Sequence, residues 1–574
     1  MTQARRRARR WVVPGYALTL TVAVTAPLLA PGYLLHRDAV STPRSYLSDA
    51  ALGLGGAAPR AVPQDFLIAV TSTVLDGGLV VKALLLAGLV CAGWGAARLA
   101  RLTLPEAGLP GELVATTLAI WNPYVAERLL QGHWSLLVGY GSLPWVAAAV
   151  IRLRRDPLGW PGWAAVVFWI ALAGLTPTGL ILAAVVALVC IAAPGAGTDR
   201  LRCAAGVLVT AALAALPWLV AALIGGALSS PQSSGVAAFA ARAEPALGTL
   251  GSLAGLGGIW NAEATPYSRT TPFALLATAV LLAVVALGLP TALRRPQAVP
   301  LLVLAAASVL LPAAMATGPG LAAARAVIDA VPGLGVIRDG QKWVGLAMPG
   351  YALAGAGAVI TLRRWARPEV TALACAAALI AVLPDLAWGV WGRITPVHYP
   401  PGWAAVARII NDDPGPVAVL PAESMRQFRW AGAAPVLDPL PRWLRADVLS
   451  TGDLTVSGVV VPGEGSKARE TQRLLLAGAP PEAVSRAGVG WVVVESGTAG
   501  TMGAAQRTLE RLPVAYRDGD LILYRVGGTG SAAPQDKRTA MVLAHLVWVV
   551  MVVGGAAAMA MGSRRRREGV PFGT

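Results

Sequence analysis

Three short polar segments border long apolar runs in this chain, and they carry the side chains that could do chemistry. The first is His36-Arg37-Asp38, shortly after an apolar run that reaches Pro31. A carboxylate at such a boundary can take a proton from a hydroxyl group or position a metal-bound phosphate, so Asp38 is a candidate general base. The guanidinium groups of Arg37 and Arg44 could bind phosphate directly. The competing interpretation is an interfacial acid that only pairs with its own neighbours.

The second segment, residues 122–134, ends an apolar run with an unusual number of polar side chains. Glu127 and Arg128 are costly in an apolar setting unless they are paired or face a water-filled cavity. Helical spacing places Tyr124 one turn from Arg128. The segment predicts either a polar wall that binds a headgroup or sugar, or a Glu127–Arg128 pair beside an aromatic belt. His133, in a short turn, is a further candidate binding residue.

The third segment, residues 335–343, leads into another apolar run and contains Arg338, Asp339 and Lys342. Two cations and a carboxylate at the outer end of a membrane helix would suit a phosphate linked to a lipid. Simple anchoring at the membrane interface explains the same residues, so both interpretations stay open.

The composition indicates which elements must position these segments. Apolar residues make up 56% of the 574 residues and charged residues 13%, with a mean hydropathy of +0.61. Soluble domains average about 25% charged residues. Runs of about 20 apolar residues are long enough to cross a bilayer. They predict about twelve transmembrane helices, near residues 11–31, 78–98, 111–130, 134–151, 160–175, 179–194, 203–226, 271–290, 298–317, 343–362, 369–389 and 539–561.

The net charge of +17 lies mostly in short arginine clusters between the apolar runs. That distribution indicates membrane topology and argues against nucleic acid as a partner. Because the clusters fall at alternate connections, the positive-inside rule predicts that both termini are cytoplasmic. The expected location is the inner (plasma) membrane of a bacterium, with multiple passes.

The predicted fold is a polytopic α-helical membrane protein with a small external α/β domain. Residues 1–389 form the membrane domain, 390–536 the external domain, and 537–574 the last helix and a basic tail. Three external loops of the membrane domain are long, at residues 32–77, 227–270 and 318–342.

Within residues 390–536, three short apolar runs predict strands and two amphipathic stretches predict helices. The strands are expected at 417–420, 491–494 and 521–525, and the helices at 466–477 and 502–512. This region has no GxGxxG turn, phosphate-binding loop or nucleophile elbow, so nucleotide chemistry is not expected there.

The pattern resembles the GT-C superfamily of integral-membrane glycosyltransferases, which use polyprenyl-phosphate sugars as donors. More narrowly, it looks like the arabinofuranosyl- and mannosyl-transferase-like proteins of high-GC bacteria. The resemblance covers roughly residues 1–390 and rests on His36-Arg37-Asp38, residues 122–134 and residues 338–342. It implies an inverting transfer with Asp38 as the general base. The family's first loop often carries paired acids, and Asp38 has no adjacent acidic partner.

The resemblance implies transfer of a sugar from polyprenyl phosphate to a cell-envelope glycan or glycolipid at the outer membrane face. The residues expected at the donor phosphate or sugar are Arg37, Arg44, Glu127, Arg128, His133, Arg338, Asp339 and Lys342. A divalent metal, Mg²⁺ or Mn²⁺, stays open as a cofactor, although no Cys/His spacing predicts a metal site. Membrane lipid is a further expected partner.

Two other functions remain open on the sequence. A lipid or glycan transporter or flippase fits the helix count, but it should show two matching halves, which the uneven loops do not suggest. A non-catalytic scaffold that keeps a GT-C-like body is the second alternative, favoured by the missing acidic partner of Asp38.

Overall fold

A computed structural model describes most of the chain. The described residues are 3–56, 61–156, 159–225, 233–331, 333–456, 458–530 and 532–568, without the side chains of 3–9, 234, 563 and 565–568. Parts of the predicted loops 32–77, 227–270 and 318–342, of the region 390–536 and of the basic tail therefore lie outside the described residues.

Helices dominate the described residues. In chain order they are α1 (Gln3–Thr25), α2 (Asp49–Leu52), α3 (Gln64–Thr71), α4 (Gly77–Thr103), α5 (Gly108–Ile120), α6 (Pro123–Leu130), α7 (Trp134–Arg155), α8 (Gly159–Ala173), α9 (Pro177–Cys190), α10 (Arg200–Ile224), α11 (Gly248–Ala254), α12 (Phe273–Leu293), α13 (Val299–Met315), α14 (Gly318–Ala330), α15 (Met348–Leu362), α16 (Pro368–Ala381), α17 (Ala387–Gly392, whose residues 388–391 are left-handed), α18 (Pro401–Asp412), α19 (Leu440–Trp443), α20 (Ser466–Leu476), α21 (Pro481–Arg486), α22 (Gln506–Leu509) and α23 (Gln535–Glu568).

The strands are short and mostly lie in the region after residue 400. They are β1 (Leu35–His36), β2 (Ala39–Val40), β3 (Val417–Leu420), β4 (Met425–Arg426), β5 (Val436–Leu437), β6 (Val448–Leu449), β7 (Leu454–Val456), β8 (Val459–Val461), β9 (Trp491–Glu495), β10 (Val514–Arg517) and β11 (Leu521–Arg525). A five-stranded sheet has the order β10-β11-β9-β3-β6, in which β3 runs parallel to β6 and β9. The pairs β1–β2, β4–β5 and β7–β8 form antiparallel ribbons.

Seven helices of the described chain are long and apolar enough to cross a membrane. They are Arg10–Leu29, Gly77–Thr103, Trp134–Arg155, Arg200–Ile224, Phe273–Leu293, Gly340–Leu362 and Gln535–Gly562. The number rises to nine if two bent pairs each count as one span: α13 with α14, bent by 95°, and α16 with Pro384–Gly392, bent by 73°. The expected count of about twelve full-length spans is therefore too high. The apolar helices remain compatible with a membrane protein.

The predicted span at 111–130 is wrong for a local reason. Pro123 disfavours helical backbone at Asn122, which is extended with φ −154° and ψ 160°. The run splits into α5 and α6, and Asn122 caps the second helix by accepting a hydrogen bond from the Val125 amide at 3.1 Å. The predicted spans at 160–175 and 179–194 also fall short, because α8 and α9 have 15 and 14 residues.

Small residues let the long helices approach closely. A Cβ added at Gly288 in α12 would overlap the backbone of α15 around Ala354 and Gly357. Small residues at helix contacts are the usual means of tight packing in membranes, where apolar burial alone does not favour association. The contact between α12 and α15 therefore depends on Gly288.

The five-stranded sheet separates two apolar clusters. Alternate residues such as Val417 and Trp491 point to one face, and Ala418 and Val492 to the other. The first face packs on α18 and also on Leu35 and other residues of the β1–β2 ribbon. The region after residue 400 and the loop that follows α1 consequently share one core.

We predict that Gly288→Ala lowers the free energy of unfolding by about 1–3 kcal/mol, because the new methyl group overpacks the α12–α15 contact. Thermal unfolding of the detergent-solubilised chain, followed by tryptophan fluorescence, measures the effect. Gly15→Ala in α1 is the matched control, since a Cβ there meets nothing within 4 Å. Equal stability of both variants would contradict the packing argument.

Candidate functional site

The structure brings the three polar segments together. The β1–β2 ribbon carries Asp38, the connection from α6 to α7 carries His133, and the chain before α15 carries Asp339 and Lys342. The His133 Nε2 atom lies 2.9 Å from a carboxylate oxygen of Asp38. The Lys342 Nζ atom lies 3.5 Å from Asp339. One polar cluster thus forms from segments that are remote in sequence.

Asp38 stands at the tip of a two-residue hairpin. Leu35 pairs with Val40 and His36 with Ala39, so Arg37 and Asp38 form the turn. Arg37 has φ +51°, the left-handed conformation that tight hairpin turns of this length use. The Asp38 side chain keeps 36% of its surface exposed, so its carboxylate is accessible to a reactant.

Gly132 allows the α6–α7 connection to reach this hairpin. It has φ +82°, and a Cβ on it would lie 2.9 Å from the Asp38 amide nitrogen and closer still to neighbouring backbone atoms. The Asp38 amide donates to the carbonyl of Gln131 at 3.2 Å, and the Gln131 side chain donates to the Asp38 carboxylate at 3.3 Å. Only glycine satisfies both the backbone angle and this close approach.

Arg128 links Asp38 to Asp339 through His133. Its guanidinium is fully buried, donates to both Asp339 oxygens at 3.1 and 3.3 Å, and also binds Gln341. The His133 Nδ1 atom lies 3.1 Å from Arg128. Because Arg128 can only donate, Nδ1 accepts and Nε2 carries the proton that is donated to Asp38. This arrangement fixes one neutral tautomer of His133.

The pKa values of His133 and Asp38 are both lowered, for different reasons. It lowers the pKa of His133 below the ordinary value, and the charges of Lys342 and Arg128 add to that effect. For Asp38, burial favours the neutral acid, but the hydrogen bonds from His133 and Gln131 and the charge of Lys342 outweigh it and lower the pKa. The site at neutral pH therefore holds an ionised Asp38 beside a neutral His133.

Glu127 does not pair with its neighbour Arg128. Its carboxylate accepts from the amides of Gly258 and Ile259, both at 3.1 Å, and from the Gln341 side chain at 2.9 Å. Glu127 therefore attaches the loop after α11 to α6. The predicted proximity of Tyr124 and Arg128 is confirmed, with the guanidinium 5.5 Å from the ring centroid.

Lys342 and Arg338 lie at the edge of the cluster. Lys342 is 25% exposed, and its partner Asp339 is bound more closely by Arg128. Arg338 stacks over the Phe239 ring with its guanidinium carbon 4.6 Å from the centroid. Of the two cations in this segment, Lys342 is therefore the one beside Asp38. Part of its side chain is exposed.

Arg37 faces away from the Asp38 carboxylate and pairs with Glu263 at 3.0 Å. Its backbone hydrogen-bonds β5, because the Arg37 amide donates to the Pro435 carbonyl and the Leu437 amide donates to the Arg37 carbonyl. Burial, with the charges of Arg37 and Arg393, lowers the pKa of His36 to about 4. These residues hold the hairpin in place.

Arg44 is not brought to Asp38. It donates to the Ala69 carbonyl and to the Ser72 hydroxyl, both at 3.0 Å, and so binds α3. Asp76 caps α4, and Lys82 donates to the Ala30 carbonyl. Asp385 accepts from the Ser268 amide and hydroxyl at 2.7 Å.

The donor set around Asp38 does not suit a divalent metal. Such ions take several oxygen ligands, whereas the Asp38 carboxylate is bonded to His133 and Gln131 and lies near the positive charge of Lys342. Across the residues the structure describes, no group of three or more His, Cys, Asp or Glu side chains is placed to hold an ion.

Sequence reasoning missed two amides of the site. Gln341 bridges Arg128 and Glu127, and Asn261 donates to the Gln131 side chain at 2.8 Å. Gln341 did carry a signal, since it is an amide at the start of an apolar run next to Lys342. Asn261 carried none, because its partner is 130 residues away.

Comparison with known proteins adds no assignment: the chain matches no protein-family model and no curated protein.

We predict that Arg128→Met and Asp339→Leu each destabilise the fold by about 3–5 kcal/mol, because each leaves an uncompensated buried charge. The double variant should cost clearly less than the sum of the two. Thermal unfolding of the four proteins in detergent measures this cycle. Simple additivity would mean that the two side chains act independently.

Proposed function

We propose that this protein is a GT-C-type membrane glycosyltransferase. It moves a sugar from a polyprenyl-phosphate donor to a cell-envelope glycan or glycolipid on the outer face of a bacterial plasma membrane. The observation that carries the proposal is a partly exposed, ionised Asp38 carboxylate held by His133 and Gln131 beside the ammonium group of Lys342. Such a transfer needs a base for the acceptor hydroxyl and a positive charge for the phosphate, close together.

Asp38 serves as the base in this proposal. It accepts the proton of an acceptor hydroxyl as the new bond from that oxygen to the anomeric carbon forms. The bond from the anomeric carbon to the phosphate oxygen breaks in the same step, and polyprenyl phosphate leaves with the electron pair. The hydrogen bond from His133 orients the carboxylate, so His133 is a positioning residue.

Lys342 receives the phosphate. Its amine is partly exposed, and the competing carboxylate of Asp339 is already engaged by Arg128. Arg338 supplies a second positive charge to the same edge of the site. Cations that are already in place stabilise the charge that develops on a leaving phosphate most effectively. The short segment before α15 holds these cations in position.

The variant Asp38→Asn keeps the shape of the side chain but removes its basicity. We expect a loss of transfer activity of about 10²-fold or more. Glycan linkage analysis of the envelope should show one linkage missing in a deletion strain. The wild-type gene should restore that linkage and the Asp38→Asn gene should not.

Asp329→Asn is the matched control, since Asp329 is an exposed acid on α14, away from Asp38. Membrane levels of all variants are measured alongside. Full restoration by Asp38→Asn would refute the catalytic role and favour the scaffold. A deletion strain with unchanged linkages but an accumulated lipid-linked precursor would favour the transporter.

The variant Lys342→Met tests the proposed contact with phosphate. Removing the cation should raise the KM for the polyprenyl-phosphate donor by about tenfold, because one charge-assisted contact to phosphate is lost. The KM for the acceptor should change little. Assays with membranes and a lipid-linked radiolabelled sugar separate the two constants, and an effect confined to the acceptor would contradict the assignment.

A further inference from the structure

Asn261 lies behind the Asp38 site, one side chain away from the carboxylate. Its side-chain nitrogen donates to the Gln131 side-chain oxygen at 2.8 Å, and the Gln131 side-chain nitrogen donates to Asp38 at 3.3 Å. Gln131 is buried, so these contacts are made inside the protein. Three segments that are remote in sequence thus form one chain of hydrogen bonds, which ends on the proposed base.

A backbone amide fixes the direction of this chain. The side-chain oxygen of Asn261 accepts from the Glu263 amide at 3.1 Å, where Asn261 caps the short helical turn Ala262–Ala264. A backbone N–H can only donate, so the Asn261 nitrogen is the atom that faces Gln131. The Gln131 oxygen is then the acceptor, and the Gln131 nitrogen donates to Asp38. Reversing the Gln131 amide would set donor against donor at one end and oxygen against oxygen at the other.

Two arginines hold the loop that carries Asn261. Arg37 of the hairpin turn pairs with the Glu263 side chain at 3.0 Å. Arg393 donates to the carbonyls of Glu263 and Thr265, the second at 2.7 Å. The backbone amide that orients Asn261 is therefore fixed relative to the hairpin.

Asp38 consequently meets two hydrogen-bond partners that are fixed as donors. Arg128 holds His133 in the tautomer that donates from Nε2, and Asn261 holds Gln131 in the orientation that donates from its amide. A protonated Asp38 would need an acceptor for its own hydrogen, and neither partner is free to turn one toward it. Burial opposes ionisation of Asp38, but the bonds from His133 and Gln131 favour it, and its pKa is lowered.

We propose that Asn261 is a positioning residue of the Asp38 site. It locks the Gln131 amide in the orientation that donates to Asp38, and it thereby keeps the base ionised over a wider range of pH. The importance of Asn261 for transfer rests on the proposed function, whereas the locked orientation of Gln131 does not.

Four other titratable or charged groups lie around Asp38, on its own hairpin, on the α6–α7 connection and before α15. They are His36, Arg37, His133 and Lys342. The variant Asn261→Leu changes none of these groups and removes the donor to Gln131. A change in the ionisation of Asp38 in this variant therefore reports the orientation of the Gln131 amide.

Carbodiimide coupling measures the ionisation of Asp38 without an activity assay. Coupling of glycine ethyl ester requires the protonated acid, so the yield at Asp38 falls as the pH rises past its pKa. Mass spectrometry of the Asp38 peptide, from the full chain in nanodiscs, gives the midpoint, and the exposed Asp329 is the reference in the same digest. We expect Asn261→Leu to raise the midpoint by about 0.5–1 pH unit, because the neutral acid can then turn Gln131 and donate to it.

The double variant Gln131→Met/Asn261→Leu shows whether Asn261 acts through Gln131. Gln131→Met alone should also raise the midpoint, and adding Asn261→Leu should change it no further. Ala262→Leu places the same side chain at the exposed neighbouring position and should leave the midpoint as in the wild type. Asn261→Ser keeps an oxygen for the Glu263 amide but is too short to reach Gln131, so it decides the question if Asn261→Leu does not fold.

An unchanged midpoint in a folded Asn261 variant, or a further rise in the Gln131→Met background, would overturn the proposal. The transfer assay of Asp38→Asn distinguishes this result from a failure of the proposed function. Loss of transfer in Asp38→Asn with an unchanged midpoint in Asn261→Leu would leave the base in place and refute the positioning role. Full transfer in Asp38→Asn with a raised midpoint in Asn261→Leu would refute the catalytic role and confirm the locked amide.

Discussion

The cluster around Asp38 depends on one fully buried guanidinium. Arg128 has no access to water, so every contact that it makes must come from the protein. Asp339 supplies the opposite charge, and Gln341 and His133 accept further hydrogen bonds from the two terminal nitrogens of the guanidinium. Taking an isolated charge out of water is far more costly than burying a paired one, so Arg128 forces the three segments into a single arrangement.

The short helix α6 and the residue after it connect three parts of the chain to this cluster. Two of its side chains and the residue that follows it hold different parts of the chain: Glu127 holds the loop after α11, Arg128 the segment before α15, and Gln131 the hairpin that carries Asp38. The break in the helix at Asn122, after which α6 begins, allows these side chains to reach different parts of the chain. A continuous helix through residues 111–130 would have carried the same side chains along one axis and not across the junction of three loops.

The hairpin β1–β2 belongs to two units at once. Its tip carries Asp38, which contacts Gln131 and His133. Leu35 and Val40, at the other end of the hairpin, pack into the core on one face of the five-stranded sheet. Arg37 also shares backbone hydrogen bonds with Pro435 and Leu437 at β5. The Asp38 cluster and the region after residue 400 are therefore parts of one connected framework.

The sequence alone determined which runs are apolar enough to be buried and which polar residues are costly to bury. Apolar runs located the helices, short apolar runs located β3, β9 and β11, and polar side chains in apolar surroundings marked the three segments. Local chemistry explains this success, since hydropathy and spacing act within a few residues. Only the tertiary structure decided how the spans break and which polar groups meet. His133 and Asp38 are 95 residues apart and Arg128 and Asp339 are 211 apart, so neither contact leaves a local trace. For the same reason, the sequence did not indicate that Arg44 binds α3 or that Gln341 completes the cluster.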